Sequence, residues 1–204
     1  MRNAQKTITV AVIAAMSALS GVAFAQNTAT EVQRNVNQQQ RIEQGLKSGE
    51  LNTKEAARLE AGEAKIERMQ KNALKDGKLT TAEKTRIDNA QNAESAAIHK
   101  EKTDANKGNP NSASSKRMQA DVQRNVNQQK RIEQGVKSGE LTNKEVGKLE
   151  RGQARVNRKE ALAGKDGHVG AAEQGAIQKA ENTQSKRIHN KKHNEAVREN
   201  GAPK

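Results

Sequence analysis

Four glycine loops carry the side chains with the clearest chemical potential. Lys-Asp-Gly-x-(Leu/Val)-x-x-Ala-Glu occurs at 75–83 and again at 165–173, setting Asp76 and Glu83, then Asp166 and Glu173, on either side of a sharp turn. Carboxylates placed this way can offer oxygens to a hard cation. Lys-Ser-Gly-Glu-Leu at 47–51 and 137–141 repeats the glycine and the aliphatic without the preceding acid. His189 and His193 are four apart, so on a helix both rings share a face and can bring two nitrogens to one transition metal. Around them crowd Lys186, Arg187, Lys191 and Lys192, a field suited to polyanions.

The Asp-Gly loops resemble the second half of an EF-hand calcium loop. The resemblance implies Asp76 at loop position five, Gly77 at the turn, Leu79 at the bridging position and Glu83 as the bidentate ligand. Positions one and three are Asn72 and Leu74 in the first loop, and Leu162 and Gly164 in its counterpart. A calcium ion takes six to eight oxygens, more than these loops offer. Helix capping accounts for the same residues: Thr80-x-x-Glu83, Asn52-x-x-Glu55 and Thr142-x-x-Glu145 are capping boxes, with Gly170 before Glu173 a weaker version. The preceding glycines suit the left-handed turn that ends a helix. The favoured expectation is helix corners without metal, with a degenerate EF-hand ion binder as the alternative. His189 has a counterpart in His99, but His193 answers to Thr103, no third ligand is evident, and Lys191 and Lys192 oppose a bound cation. No cofactor is expected.

A duplication ties these features together. Val32–Glu55 returns ninety residues later as Val122–Glu145, identical at 20 of 24 positions. Each copy therefore tests the other. Glu63 and Glu67 could form a carboxylate dyad on one helix, but the second copy has Gln153 and Asn157 there. There is no Cys nucleophile, no glycine-rich phosphate loop after a strand, and no Ser, His and Asp set kept in both copies. An enzyme is not expected.

The first 25 residues read as a signal peptide: Arg2 and Lys6, a mostly apolar core from Thr7 to Ser20, and the small residues of Ala23-Phe24-Ala25 before the cut. The apolar run is too short for a stable membrane span. The mature chain then begins at Gln26 in a periplasmic or secreted setting. Beyond Phe24 there is no aromatic residue, and the chain has no Cys. The formal net charge of +13 is uneven: residues 26–106 hold 14 basic against 13 acidic residues, and residues 107–204 hold 21 against 11. Lipopolysaccharide, anionic lipid headgroups, polyphosphate or an envelope protein are the expected partners. Sequence-specific nucleic-acid recognition is not, because nothing can stack on bases.

Ala, Glu, Gln, Lys and Arg dominate, all residues that lose little in a helix. Apolar or small residues recur at three-and-four spacing: Leu59, Gly62, Ile66, Met69 and Ala73 in one copy, Leu149, Gly152, Val156 and Ala163 in the other. Each is a one-sided stripe for helix packing. The glycines on it are expected to let a partner helix come close. The fold class is all-α, a tandem duplication of a three-helix unit with glycine-containing helix-loop-helix corners. The expected division is a leader at 1–25, repeat unit 1 at 26–106, a flexible Gly/Pro/Asn/Ser linker at 107–117, basic repeat unit 2 at 118–198, and a tail at 199–204. The simplest picture is two small bundles on a tether. A continuous rod or an intertwined oligomer stays open, since a stripe does not name the helix it meets.

The repeated Arg-Ile-Glu-Gln-Gly-x-Lys-Ser-Gly-Glu-Leu, with its later Asp-Gly-x-(Leu/Val) partner, resembles a group of small exported proteobacterial helical repeat proteins across nearly all of residues 26–204. That resemblance implies the fold and the destination but no activity. Leu79-Thr80-Thr81-Ala82-Glu83 and Leu141-Thr142-Asn143-Lys144-Glu145 are also loosely similar to the Leu-Thr-x-x-Gln motif of Spy-type periplasmic chaperones, with Glu for Gln. This likeness implies a cationic, amphipathic surface that binds exposed partners. The expected function is non-enzymatic binding of protein or polyanionic partners in the envelope, with ion binding or a structural spacer as alternatives.

Overall fold

Local sequence sets each corner. The computed structural model describes the backbone of residues 16–194 and the side chains from residue 27 onward. Of the expected leader, residues 1–15 lie outside the described residues, as does the tail at 199–204. Six helices follow in order: α1 (Met16–Ser48), α2 (Thr53–Ala73), α3 (Thr81–Thr103), α4 (Ala113–Lys137), α5 (Asn143–Ala163) and α6 (Ala171–Lys192). The described chain is all-α. The caps fall where the motifs put them: Asn52, Thr80 and Thr142 each accept from the backbone N–H three residues on, and the Glu there accepts in return. The loop glycines Gly49, Gly77, Gly139 and Gly167 all have positive φ, between 77° and 94°, where an L side chain would be strained.

The packing departs from two tethered bundles. The α2 helix lies chiefly against its own duplicate α5, and α1 lies against α4, while α3 and α6 flank this central set. Both apolar clusters draw on both copies. One joins Val32, Leu74, Leu79 and Ile87 to Ile132, Leu141, Val146 and Ile188. The other joins Ile42, Leu46, Leu51 and Ile98 to Met118, Val122, Val169 and Ile177. Neither repeat owns a core. The reason lies in composition: with few large aliphatics and no aromatics in either copy, each can bury its apolar face only against the other.

The α2 and α5 helices run antiparallel around an approximate two-fold axis. Glu67 meets Asn157, its own counterpart, at 3.0 Å. At one end Leu74 seats against Gly147, where an added Cβ would lie 3.1 Å from the Leu74 Cβ. At the other end the counterparts are Gly164 and Ala57, with the Met118 methyl filling in beside them. A large residue on a small one is thus balanced by a small residue on a small one plus a third side chain.

The segment expected as a flexible linker is fastened down. The Gly108 N–H donates to the Gly49 carbonyl at 2.9 Å, and Ser112 caps α4, which starts at Ala113 inside the expected linker. Any side chain at Gly108 would run into the Leu51 carbonyl oxygen, 2.3 Å from the Cβ position. Gly62 and Gly152 also do something other than admit a helix backbone. They make room for the Glu94 carboxyl of α3 and the Gln184 amide of α6, whose tips occupy the space a Cβ would need.

Candidate functional site

The loop carboxylates are engaged within their own turns. Asp76 accepts from the Lys78 N–H and Asp166 from the His168 N–H, each at 2.9 Å. Glu83 accepts from both the Thr80 N–H (3.0 Å) and hydroxyl (2.7 Å), and Glu173 from the Gly170 N–H at 2.8 Å. The loops do not bring these four carboxylates together. Among the described residues one trio of carboxylates has oxygens within 4.8 Å of one another, and it lies elsewhere: Glu55, Glu101 and Asp104. Its members already have partners. Glu55 caps Asn52, Asp104 holds the Asn106 N–H, and Arg58 stands 3.9 Å from Glu101. In the second copy Lys191 and Asn194 replace the two outer acids and contact Glu145 directly.

The rings of His189 and His193 stack with centroids 4.2 Å apart, and His193 Nδ1 lies 2.7 Å from the His189 carbonyl oxygen. The cationic set nearby divides in two. Lys186 and Arg187 face solvent. Lys191 and Lys192 are half-buried in ion pairs with Glu145 (3.4 Å) and Glu140 (3.3 Å), which fasten the end of α6 to the α4–α5 corner.

The larger cationic surface lies on the α2–α5 layer. Lys54, Arg58, Lys65 and Arg68 are exposed on α2. Lys144, Lys148, Arg151, Arg155, Arg158 and Lys159 are exposed on α5. No exposed residue of either helix is acidic. Their acids all point inward: Glu55, Glu60, Glu63 and Glu67 from α2, and Glu145, Glu150 and Glu160 from α5, are buried. The electrical neutrality of the first repeat is therefore a property of the count, not of its surface. Sequence reasoning placed the basic surface on the second repeat and missed its α2 half. The signal was present in the register, because the α2 cations and acids occupy different helical faces.

Inside the layer the acids meet amides. Gln39 donates to Glu60 at 2.9 Å, and Gln129 bridges Glu67 (2.9 Å) and Glu150 (3.2 Å). Asn125 donates to Glu160 at 2.7 Å. Glu60 and Glu160 lie close enough across the two copies for each to act on the other's charge. No Lys or Arg is buried among the described residues, and both oxygens of Glu63 and both polar atoms of Gln153 lack a protein partner. Burial without a counter-ion favours the neutral acid. It pushes Glu60 up to about 8 and Glu150 to about 7, and it holds Glu63, Glu67 and Glu160 well above the ordinary carboxyl range. Of the dyad that the second copy dispenses with, Glu67 is matched across the layer: where the first copy has Glu67, the second supplies the amide that binds it.

The outer face of the same layer holds a groove of about 470 Å³. Alanines of α2 and α5 form its floor together with Leu162, and Arg58, Arg68, Arg158 and Lys165 stand at its edges. Leu162, at 57 % exposure, is the one exposed large hydrophobic residue among those described. The chain matches no known family model, no curated protein and no solved structure.

Proposed function

We propose that this chain is a non-enzymatic binding protein that takes anionic partners on the outer face of α2 and α5. The observation that carries the reading is the sorting of charge: every exposed charged side chain of those helices is a cation, and every acid is turned inward. A face of one sign raises the local concentration of opposite charge and speeds encounter. The leader-like residues 1–25 support an exported protein, which would place the partners in the cell envelope. Lys186 and Arg187 of α6 are a secondary contact in this reading, because Lys191 and Lys192 have internal partners.

The test is titration with long-chain inorganic polyphosphate. Charge reversal at Arg58, Arg68 and Arg158 should cost roughly tenfold or more in affinity, equivalent to about 1.4 kcal/mol. Reversal at Lys186 and Arg187 should cost less, and added salt should weaken wild-type binding steeply, as counterion release requires. Absence of binding even at low salt, or a greater loss from the α6 pair, would overturn the assignment.

A further inference from the structure

The basic face is not uniform. Its groove is floored on one side by Ala61 and Ala64 of α2, and on the other by Ala161 and Leu162 of α5. The duplication supplies an internal control. At the two-fold-related place, Ala61 becomes Arg151, Ala161 becomes Lys71 and Leu162 becomes Asn72. Three apolar positions on one groove are polar or charged on the other, while the cations around them are kept: Arg58 answers to Lys148, Arg68 to Arg158 and Lys165 to Lys75. An apolar floor on one of two otherwise matched surfaces points to an occupant with an apolar face.

We infer that the Leu162 groove binds an acidic amphipathic helix of a partner protein. The inference rests on the proposed anionic binding face and adds a specific site to it. The fit comes from three properties. Arg58 and Arg68 on one wall are about 15 Å apart along α2, at 1.5 Å per residue, and on the other wall Arg158 stands on α5 with Lys165 just past its C-terminal end. That frames two to three helical turns with cations at both ends. Alanine floors let another helix backbone come close, while Leu162 offers one large apolar contact. Helices seat in such grooves through apolar anchors at i, i+3, i+4 and i+7, and Glu or Asp flanking those anchors would meet the four cations. Of the four, Arg58 keeps one long ion pair, 3.9 Å from Glu101. A lipid surface fits less well, since interfacial binding needs a bulky apolar face standing out from the protein, and this face offers a single leucine.

The experiment uses the full chain and a synthetic peptide of about four helical turns, with Leu anchors at i, i+4 and i+7 flanked by Glu. A scrambled peptide of the same composition, polyphosphate, and vesicles containing phosphatidylglycerol serve as comparisons. Wild type should bind the patterned peptide about tenfold or more tighter than the scrambled one. Leu162→Asn combined with Ala161→Lys, at an exposed and a half-buried position, should erase that preference and leave polyphosphate binding intact or stronger. Ala61→Arg should do the same from the opposite wall. Equal binding of the two peptides overturns the groove inference; if polyphosphate still binds, the anionic face survives it. Failure of both peptides and polyphosphate removes the face and the groove together. Leu162-dependent vesicle binding without peptide binding would reassign the groove to lipid.

Discussion

Replacing Glu60 by Gln should make the protein more stable at alkaline pH and leave it nearly unchanged in acid. Glu60 is fully buried between α2, α1 and α5, faced by the Gln39 amide at 2.9 Å and by Glu160, with Glu63 beside it and no cation in reach. Burial pushes its carboxyl from 4.5 up to about 8. Between those values the folded chain holds a proton that the unfolded chain has released, so unfolding becomes easier as pH rises. The stability from this group is complete below about pH 4.5 and is lost by the time pH passes about 8. Each unit is worth about 1.4 kcal/mol, so the whole climb amounts to at most about 5 kcal/mol. Glu60→Gln keeps an oxygen for the Gln39 donor and removes the ionisation. Urea unfolding at a series of pH values should show wild type and variant within about 1 kcal/mol at pH near 4.5. At pH near 9 the variant should lead by roughly 2–5 kcal/mol. The variant should still slope downward, though less steeply than wild type, because Glu63, Glu67, Glu150 and Glu160 keep their own raised values. A difference between the two proteins that does not vary with pH would refute the reasoning, since it would mean Glu60 titrates alike in the folded and unfolded chains.

Three further outcomes follow from the packing. Asn157→Asp sets a carboxylate against Glu67 Oε1, 3.0 Å from the present amide nitrogen. It should cost about 3 kcal/mol or more at neutral pH and much less in acid, read from the same urea curves. Gly108→Ala drives a Cβ into the Leu51 carbonyl, 2.3 Å away, and should lower stability by about 1–3 kcal/mol; an unchanged melt would show that this corner yields freely. Residues 27–106 expressed alone lose six of the twelve buried residues of one apolar cluster and five of the twelve of the other, so circular dichroism and sedimentation should find no cooperatively melting monomer.

The local parts of this fold were legible because local chemistry decides them. Thr80 with Glu83 specifies a helix start whatever lies around it, and Gly77 before Leu79 specifies a turn. The partner of each helix was not legible, because the Leu59–Ile66–Ala73 stripe says that a face is buried and is silent about what buries it. The interior acids were hidden for a related reason. Glu60, Glu63 and Glu67 follow the helical period one residue behind the apolar stripe, and glutamates are so seldom buried that the pattern reads as a solvated flank. One clue does exist in the comparison of copies. Glu63 against Gln153, Glu67 against Asn157 and Gln70 against Glu160 exchange acid for amide at similar size, which is how positions vary when shape is held by packing and charge is negotiable. The surface sorting followed from the same geometry, since acids that point inward leave only cations outside.

The pairing of Leu74 with Gly147, and of Glu67 with Asn157, also decides which halves of this molecule can recognise each other. Two first repeats set face to face would press Leu74 onto Ala57 and oppose two Glu67 carboxyls. Two second repeats would leave Gly164 over Gly147, a void, with two Asn157 amides and no acid between them. Each half is therefore mate to the other and a poor mate to itself. A nick in the corner around Gly108 would yield two fragments that seek one another in preference to their own kind, and a chain reconnected in a different order would retain the same recognition. Divergence between the copies acts as a ratchet: having become key and lock, they no longer have a symmetric assembly to return to.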